Sequence, residues 1–92
     1  MKVAITNTYV RGFKKLQRHL QEETYNLILE IGAWPNVPPG RHVEKIRDGP
    51  DGPIYSARLA HHYRISFEVF PQLIRLRDVG PHDEVYARER GG

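Results

Sequence analysis

The stretch IYSARLAHHYRISFEVFPQLIRLRDV, residues 54–79, decides the fold of this chain. It contains three runs, 54–60, 63–70 and 73–79, in which apolar and polar residues alternate. That period of two is typical of β-strands with one buried face. Only the dipeptides HH and PQ separate the runs, and links this short favour antiparallel neighbours. The stretch therefore predicts consecutive strands of an antiparallel sheet.

The same alternation assigns residues to the two faces of the predicted sheet. Tyr63, Ile65 and Phe67 share the apolar face with Ile74 and Leu76. The opposite face carries the polar residues of these runs: Ser56, Arg58, Arg64, Ser66, Glu68, Arg75 and Arg77. Helices need to cover only the apolar face. We therefore expect the arginine-bearing face to lie open to solvent or to a ligand.

The segments before residue 54 predict a strand, a helical region and a further strand. KVAIT (2–6) is a short β-like run, and Asn7 or Thr8 can cap the helical pattern that follows it. Apolar residues then recur at helical spacing as far as Gly32. One long helix is possible, but two are favoured because the apolar stripe drifts midway. RHVEKIRD (41–48) predicts a strand of mixed character.

These elements define an α+β fold with helices packed on one face of a sheet. The predicted order is an N-terminal strand, one or two helices, and then a four-strand antiparallel run, in a single domain over residues 1–92. The absence of cysteine excludes disulfides and thiolate metal sites and favours a reducing compartment. No apolar run is long enough to cross a bilayer, and the N-terminal stretch has no signal-peptide pattern. We therefore expect a cytoplasmic protein without a membrane partner.

The net charge of +3 permits nucleic-acid binding without requiring it. A more specific pattern comes from Arg58 and Arg64 on neighbouring strands, followed by His82 and Tyr86. The last two residues share one side of the backbone whether their segment is helix or strand. Arginine binds phosphate bidentately, histidine transfers protons near neutral pH, and tyrosine stacks on bases or assists proton transfer. This set fits metal-free RNA cleavage, in which the 2′-hydroxyl of the substrate is the nucleophile.

Other chemistry finds less support in the sequence. The glycine-containing loops precede strands rather than helices, so they do not form a phosphate-binding loop. The histidines lack the spacing of a metal site, and there is no HExxH motif. We expect neither a cofactor nor a metal. A structural role in a turn explains the His61–His62 pair as well as a functional role does. The arginines likewise suit a solvent-exposed sheet surface as well as they suit a ligand-binding surface.

The C-terminal half resembles a known family of proteins. The order of the YRISF strand, the following RLRDV strand and VGPHDEVY (79–86) resembles the RelE/ParE superfamily, the toxins of type II toxin–antitoxin modules. The resemblance implies the RelE-like microbial RNase fold and a ribosome-dependent mRNA endonuclease, or mRNA interferase. Such an enzyme cuts by 2′-hydroxyl attack without metal. The implied partners are a cognate antitoxin protein, the ribosome and mRNA.

The resemblance also assigns roles to individual residues. Arg64 matches the phosphate-binding arginine of the family, and Arg58 matches the basic position on the preceding strand. His82 matches the catalytic histidine of the YafQ-like and YoeB-like branches, a general acid, and Tyr86 matches the terminal aromatic near the scissile nucleotide. His62 lies near a polar active-site position of the YafQ-like branch. Basic residues on the neighbouring strands are expected to bind RNA: Lys45, Arg47, Arg75 and Arg77.

Some alternatives remain open at this point. Tyr55 and Ser56 stand where RelE proper places lysines, which favours the histidine-using branches. His62 and Glu44 are both candidates for the general base. The same fold also serves ParE-like inhibitors of DNA gyrase, although His82 with Tyr86 favours the nuclease. A catalytically inactive RelE-like binding protein and a generic RNA-binding module are further alternatives.

Overall fold

The computed structural model describes residues 1–91. Its elements are β1 (Lys2–Ile5), α1 (Asn7–Lys15), α2 (Arg18–Ile31), a 3-10 turn (Pro39–Arg41), β2 (Glu44–Asp48), β3 (Pro53–Ala60), β4 (Tyr63–Phe70), β5 (Leu73–Pro81) and α3 (His82–Gly91). They follow the predicted order as far as β5, whereas the 3-10 turn and the C-terminal helix α3 were not predicted. The α+β class is confirmed, and so is the preference for two helices in the N-terminal region. None of the helices within residues 1–91 is both long and apolar enough to span a bilayer.

The sheet has the strand order β1-β5-β4-β3-β2. The four strands from β2 to β5 pair antiparallel, as predicted. The pairing of β1 was not predicted: it lies parallel to β5, with Lys2 opposite Leu73. Because a parallel pair needs a crossover connection, the chain between β1 and β5 returns over the sheet, and α1 and α2 pack on its apolar face.

The start of α1 differs from the prediction by one residue. Thr6, rather than Asn7 or Thr8, is the N-cap, and its hydroxyl oxygen accepts a hydrogen bond of 3.1 Å from the backbone N–H of Tyr9. The same hydroxyl donates to the carbonyl oxygen of Arg77 at 3.0 Å. Thr6 therefore caps the helix and ties its first turn to β5, a long-range contact that local sequence does not reveal.

The core lies between the two helices and the apolar face of the sheet. Its fully buried residues include Leu27 and Ile31 from α2 and Phe67 from β4. On the other helix, Gly12 touches β5 so closely that an added Cβ would lie 2.3 Å from the carbonyl oxygen of Val79. Only glycine allows α1 to approach the sheet at this depth. Helix α1 therefore lies directly beside the end of β5.

A bulge in β5 changes the predicted assignment of faces near its end. Ser66 pairs with Asp78 while the next residue, Phe67, pairs with Leu76, so Arg77 is an extra residue in β5. An extra residue reverses the alternation beyond it. Asp78 is therefore buried on the polar side, and Val79 joins the apolar core.

The polar face of the sheet is not open along its whole length, and that part of the prediction is wrong. The C-terminal helix α3 lies across it, with Val85, Tyr86 and Glu89 buried beneath the helix. Ser56 and Ser66 on the sheet are fully buried as a result. Apolar and acidic side chains of α3 pack on this face. They cover or pair with sheet residues that were expected to be exposed to solvent, as Glu89 pairs with Arg77.

Candidate active site

An open groove of about 570 Å³ remains at one end of the polar face, where β3, β4 and the first turn of α3 meet. Its lining consists of Arg58, His61, His62, Arg64, Pro81, His82, Asp83 and Glu84. Four of the five predicted catalytic residues line this groove, and Tyr86 lies behind it on α3. His61 was predicted only as part of the turn with His62, and Asp83 was not predicted to belong to the site, although it directly follows His82.

Arg58 and Arg64 supply the positive charge of the groove. They occupy directly opposite positions on β3 and β4. Nη1 of Arg64 donates to the carbonyl oxygen of Tyr63 at 3.0 Å, and Nη2 of Arg58 lies 3.3 Å from Nδ1 of His61. Neither guanidinium forms an ion pair with a carboxylate within residues 1–91. Two half-exposed guanidinium groups without a carboxylate partner make this end of the groove positively charged.

The histidine pair forms the β3–β4 turn. His62 has a left-handed backbone with φ of 68°, which a tight turn requires. The rings of His61 and His62 touch, with centroids 3.8 Å apart, and both line the groove. The interpretation of this pair as a turn is thus confirmed, and it is compatible with a role in the groove. Within residues 1–91, no group of three or more His, Asp or Glu side chains is placed to hold a metal ion.

His82 is the first residue of α3, and the β3–β4 turn holds its backbone in place. Its N–H donates to the carbonyl oxygen of His62 at 2.7 Å. Its ring Nδ1 lies 3.0 Å from the carboxylate of Asp83, an arrangement that favours a proton on Nδ1. The Nε2 atom is then the nitrogen for exchange of a proton with a substrate. The backbone hydrogen bond therefore joins His62 and His82 at one corner of the groove.

Tyr86 lies one turn further along α3 and stacks on His82, with ring centroids 4.3 Å apart and planes at 22°. The guanidinium of Arg90 also lies over the Tyr86 ring, at 4.8 Å from its centroid. Only 7% of Tyr86 is exposed. In this arrangement its ring supports the imidazole of His82, and a nucleobase can stack on it only if Arg90 moves away.

The hydroxyl of Tyr86 is held from β2 and β3. It donates a short hydrogen bond to the carboxylate of Glu44 and lies 2.6 Å from the hydroxyl oxygen of Ser56. Burial, with the hydrogen bond to Glu44, raises the pKa of Tyr86 above its ordinary value. Tyr86 thus stays protonated and anchors α3 to the sheet. Ser56 is the residue of this set that sequence reasoning left without a role, although it belonged to the predicted polar face.

The predicted RNA-binding residues outside the groove all pair with carboxylates: Lys45 with Asp48, Arg47 and Arg77 with Glu89, and Arg75 with Glu68. The distances include 2.7 Å from Nη2 of Arg75 to Oε1 of Glu68 and 2.9 Å from Nε of Arg77 to Oε2 of Glu89. Glu68 is fully buried and Glu89 is 4% exposed. Buried carboxylates need such partners. The structure does not bring these four basic residues into the groove.

Comparison with known proteins places the fold. No protein-family model matches the sequence, and no curated protein matches it. The archaeal RelE–RelB complex from Pyrococcus horikoshii OT3 gives a TM-score of 0.74 at 20% identity, over 88% of this chain and 93% of that chain. The E. coli DinJ–YafQ toxin–antitoxin complex gives 0.72 at 15% identity, over 91% and 94%. The YoeB dimer from Staphylococcus aureus gives 0.71 at 16% identity, over 89% and 97%.

Sequence identities of this size establish the fold rather than the activity. The chain has the RelE-like toxin fold, the fold shared by RelE, YafQ and YoeB. The resemblance in the C-terminal half of the sequence implied the same fold, and the structure extends the likeness to the helical N-terminal half.

Proposed function

We propose that this protein is the toxin of a type II toxin–antitoxin module and acts as a ribosome-dependent mRNA endonuclease. The observation that carries the proposal is the meeting of Arg58, Arg64 and His82 at one groove. Two unpaired guanidinium groups beside an imidazole supply what RNA cleavage by the 2′-hydroxyl needs. The first requirement is a binding site for the phosphate, and the second is a group that moves protons.

In the proposed reaction the scissile phosphate binds to Arg58 and Arg64. The 2′-oxygen attacks phosphorus as its proton passes to a base, and the guanidinium groups stabilise the added negative charge of the phosphorane. The bond from phosphorus to the 5′ oxygen then breaks, and His82 donates a proton to that oxygen. The products are a 2′,3′-cyclic phosphate and a 5′-hydroxyl. No step consumes water or an external reagent.

His62 is the better-supported general base of the two candidates. It lines the same groove as His82 and is linked to it by the backbone hydrogen bond of 2.7 Å. Glu44 does not line the groove, and its carboxylate accepts the hydrogen bond from Tyr86. In this assignment Glu44 and Tyr86 hold His82 in place, while His62 and His82 share the proton transfers.

The proposal includes the partners that regulate and direct such a toxin. Some of the similar solved structures are complexes of a toxin with an antitoxin, among them the RelE–RelB and DinJ–YafQ complexes. We infer that a cognate antitoxin neutralises this protein too, and that its target is mRNA on the ribosome in the cytoplasm. A metal is not assigned to the reaction, because Arg58, Arg64, His62 and His82 account for each proton and charge.

Mapping of 5′ ends of cellular mRNA after induction, without an antitoxin gene, tests the proposal. We expect new 5′ ends in frame within translated codons, together with arrest of growth through translation. The matched control is the His82→Ala variant at the same expression level, which should give no new ends. Intact mRNA with altered DNA supercoiling would instead indicate a gyrase inhibitor. Normal growth and intact mRNA would indicate an inactive binding protein.

A further inference from the structure

The net positive charge of the chain comes from its first 21 residues. This segment contains Lys2, Arg11, Lys14, Lys15 and Arg18 and no acidic residue, which leaves nine of the 14 basic residues and all 11 acidic residues for the rest of the chain. Such asymmetry is a typical electrostatic signature of nucleic-acid contact. The arginines of the sheet largely neutralise buried carboxylates, so the free positive charge outside the groove belongs mainly to this segment.

Helix α1 carries part of this charge to the edge of the proposed active site. A cleft of about 310 Å³ lies between α1 and the end of β5, and Arg11, Lys15, Tyr63, Pro81 and Glu84 belong to its lining. Pro81 and Glu84 also line the groove. The two depressions therefore share one wall, and an extended chain leaving the groove past Pro81 meets α1.

The basic residues of this cleft differ in how they are paired. Arg88 forms ion pairs with Asp78 and Glu84, and these carboxylates neutralise its charge. Among residues 1–91, the side chain of Arg11 hydrogen-bonds to the hydroxyl of Thr8 alone, at 3.2 Å. Lys15 forms no ion pair within the described part of the chain. Both Arg11 and Lys15 are exposed, and a spacing of four places them on one side of α1.

We propose that Arg11 and Lys15 form a second RNA-backbone site, which binds a phosphate of the RNA outside the cleavage groove. The proposal rests on the proposed function, since it assumes that RNA occupies the neighbouring groove. Phosphate contacts of this kind position a nucleic acid without reading its sequence. The phosphate belongs either to the cleaved strand or to ribosomal RNA, and the chemistry of the contact is the same for both.

Salt-dependent binding measurements test this surface directly. All variants carry His82→Ala, so that the RNA stays intact, and the probe is a labelled single-stranded RNA of about 12 nucleotides. The Arg11→Gln/Lys15→Gln variant should bind more weakly, and the slope of log K against log salt should fall by about 0.7 for each phosphate that is no longer bound. Lys2→Gln is the matched control, because Lys2 pairs with Leu73 at the opposite end of β5 from Pro81. It should change neither quantity.

Two further arms separate the possible results. A trinucleotide that fills only the groove should bind equally well to the parent and to the Arg11→Gln/Lys15→Gln variant. If the longer RNA also binds equally well but affinity for ribosomes falls, the phosphate comes from ribosomal RNA. Unchanged binding of both the longer RNA and ribosomes would overturn the second site while leaving the groove intact. If Arg64→Gln also leaves RNA binding unchanged, the proposed function itself fails.

Discussion

Arg58 and Arg64 lie directly opposite each other across β3 and β4, and no carboxylate of residues 1–91 pairs with either of them. Like charges at this spacing destabilise a sheet. The arrangement is costly for the free protein, and a bound phosphate removes the repulsion. Arg75, on the same sheet, instead stabilises the free protein, because it pairs with the fully buried carboxylate of Glu68.

This contrast predicts opposite effects for the same substitution at two sites. Arg58→Gln should change the free energy of unfolding by less than about 0.5 kcal/mol and slow single-turnover cleavage on ribosomes by about 10² or more. Arg75→Gln should destabilise the fold by about 3 kcal/mol, because it leaves the buried carboxylate of Glu68 short of a partner. Urea denaturation and cleavage kinetics measure the two quantities. A large loss of stability in Arg58→Gln would contradict the assignment of Arg58 to substrate.

Tyr86 is predicted to act through His82 rather than on the substrate. Tyr86→Phe keeps the ring that stacks on His82 but removes the hydroxyl bound to Glu44 and Ser56. It should cost about 1–2 kcal/mol of stability and reduce cleavage by less than about tenfold. Tyr86→Leu removes the stacking ring, so its cleavage rate should fall towards that of His82→Ala. Equal rates for the Phe and Leu variants would show that the ring does not position His82.

The assignment of the general base can be tested at the β3–β4 turn. His62→Asn removes the imidazole but suits the left-handed backbone at φ of 68°, so the turn should persist. Cleavage should slow by about 10² or more, while the thermal midpoint stays close to that of the parent protein. Glu44→Gln is the comparison, and it should slow cleavage by less than about tenfold. The reverse order of effects would make Glu44 the base.

The sequence was sufficient for the elements as far as β5 and for most of the groove, because both depend on local patterns. Alternation placed Arg58 and Arg64 on one face, and the antiparallel order then made them neighbours. The four-residue spacing of His82 and Tyr86 made them a pair before their secondary structure was known. Each of these inferences needs only the period of a strand or a helix.

What the sequence could not show depends on contacts between distant segments. The helix α3 has little amphipathic character, so nothing local indicated that Val85 and Glu89 would cover the sheet. As a result, Arg75 and Arg77 were predicted to face RNA, and the structure pairs them with Glu68 and Glu89. The parallel pairing of β1 with β5 also depends on distant segments. The sequence of so short a strand does not indicate which strand it pairs with or in which direction.

Arg41 gives the last prediction, which concerns stability at low pH. It lies in the 3-10 turn, donates to Glu30 at 2.9 Å and to Glu23 at 2.7 Å, and also reaches the carbonyl oxygens of Arg58 and Leu59, each at 3.3 Å. The cluster connects α2 to the end of β3 that carries Arg58. Hydrogen bonds from Asn26 and Arg41 lower the pKa of Glu23, and the hydrogen bond from Arg41 lowers the pKa of Glu30.

Because both carboxyl groups have a lower pKa in the folded state than in the unfolded chain, they stabilise the fold above the unfolded-state pKa. That contribution is lost as the pH falls below about 4.5, the ordinary value for glutamate, through the lower pKa of the folded state. Arg41→Met should therefore lower the thermal midpoint at neutral pH and flatten its decline in acid. Arg18→Met is the matched control, because the one ion pair of Arg18 within the described residues is an exposed pair with Glu22. The Arg18→Met variant should leave both the thermal midpoint and its pH dependence unchanged. If the midpoint of Arg41→Met declined in acid as steeply as that of the parent protein, Arg41 would not set the pKa values of Glu23 and Glu30.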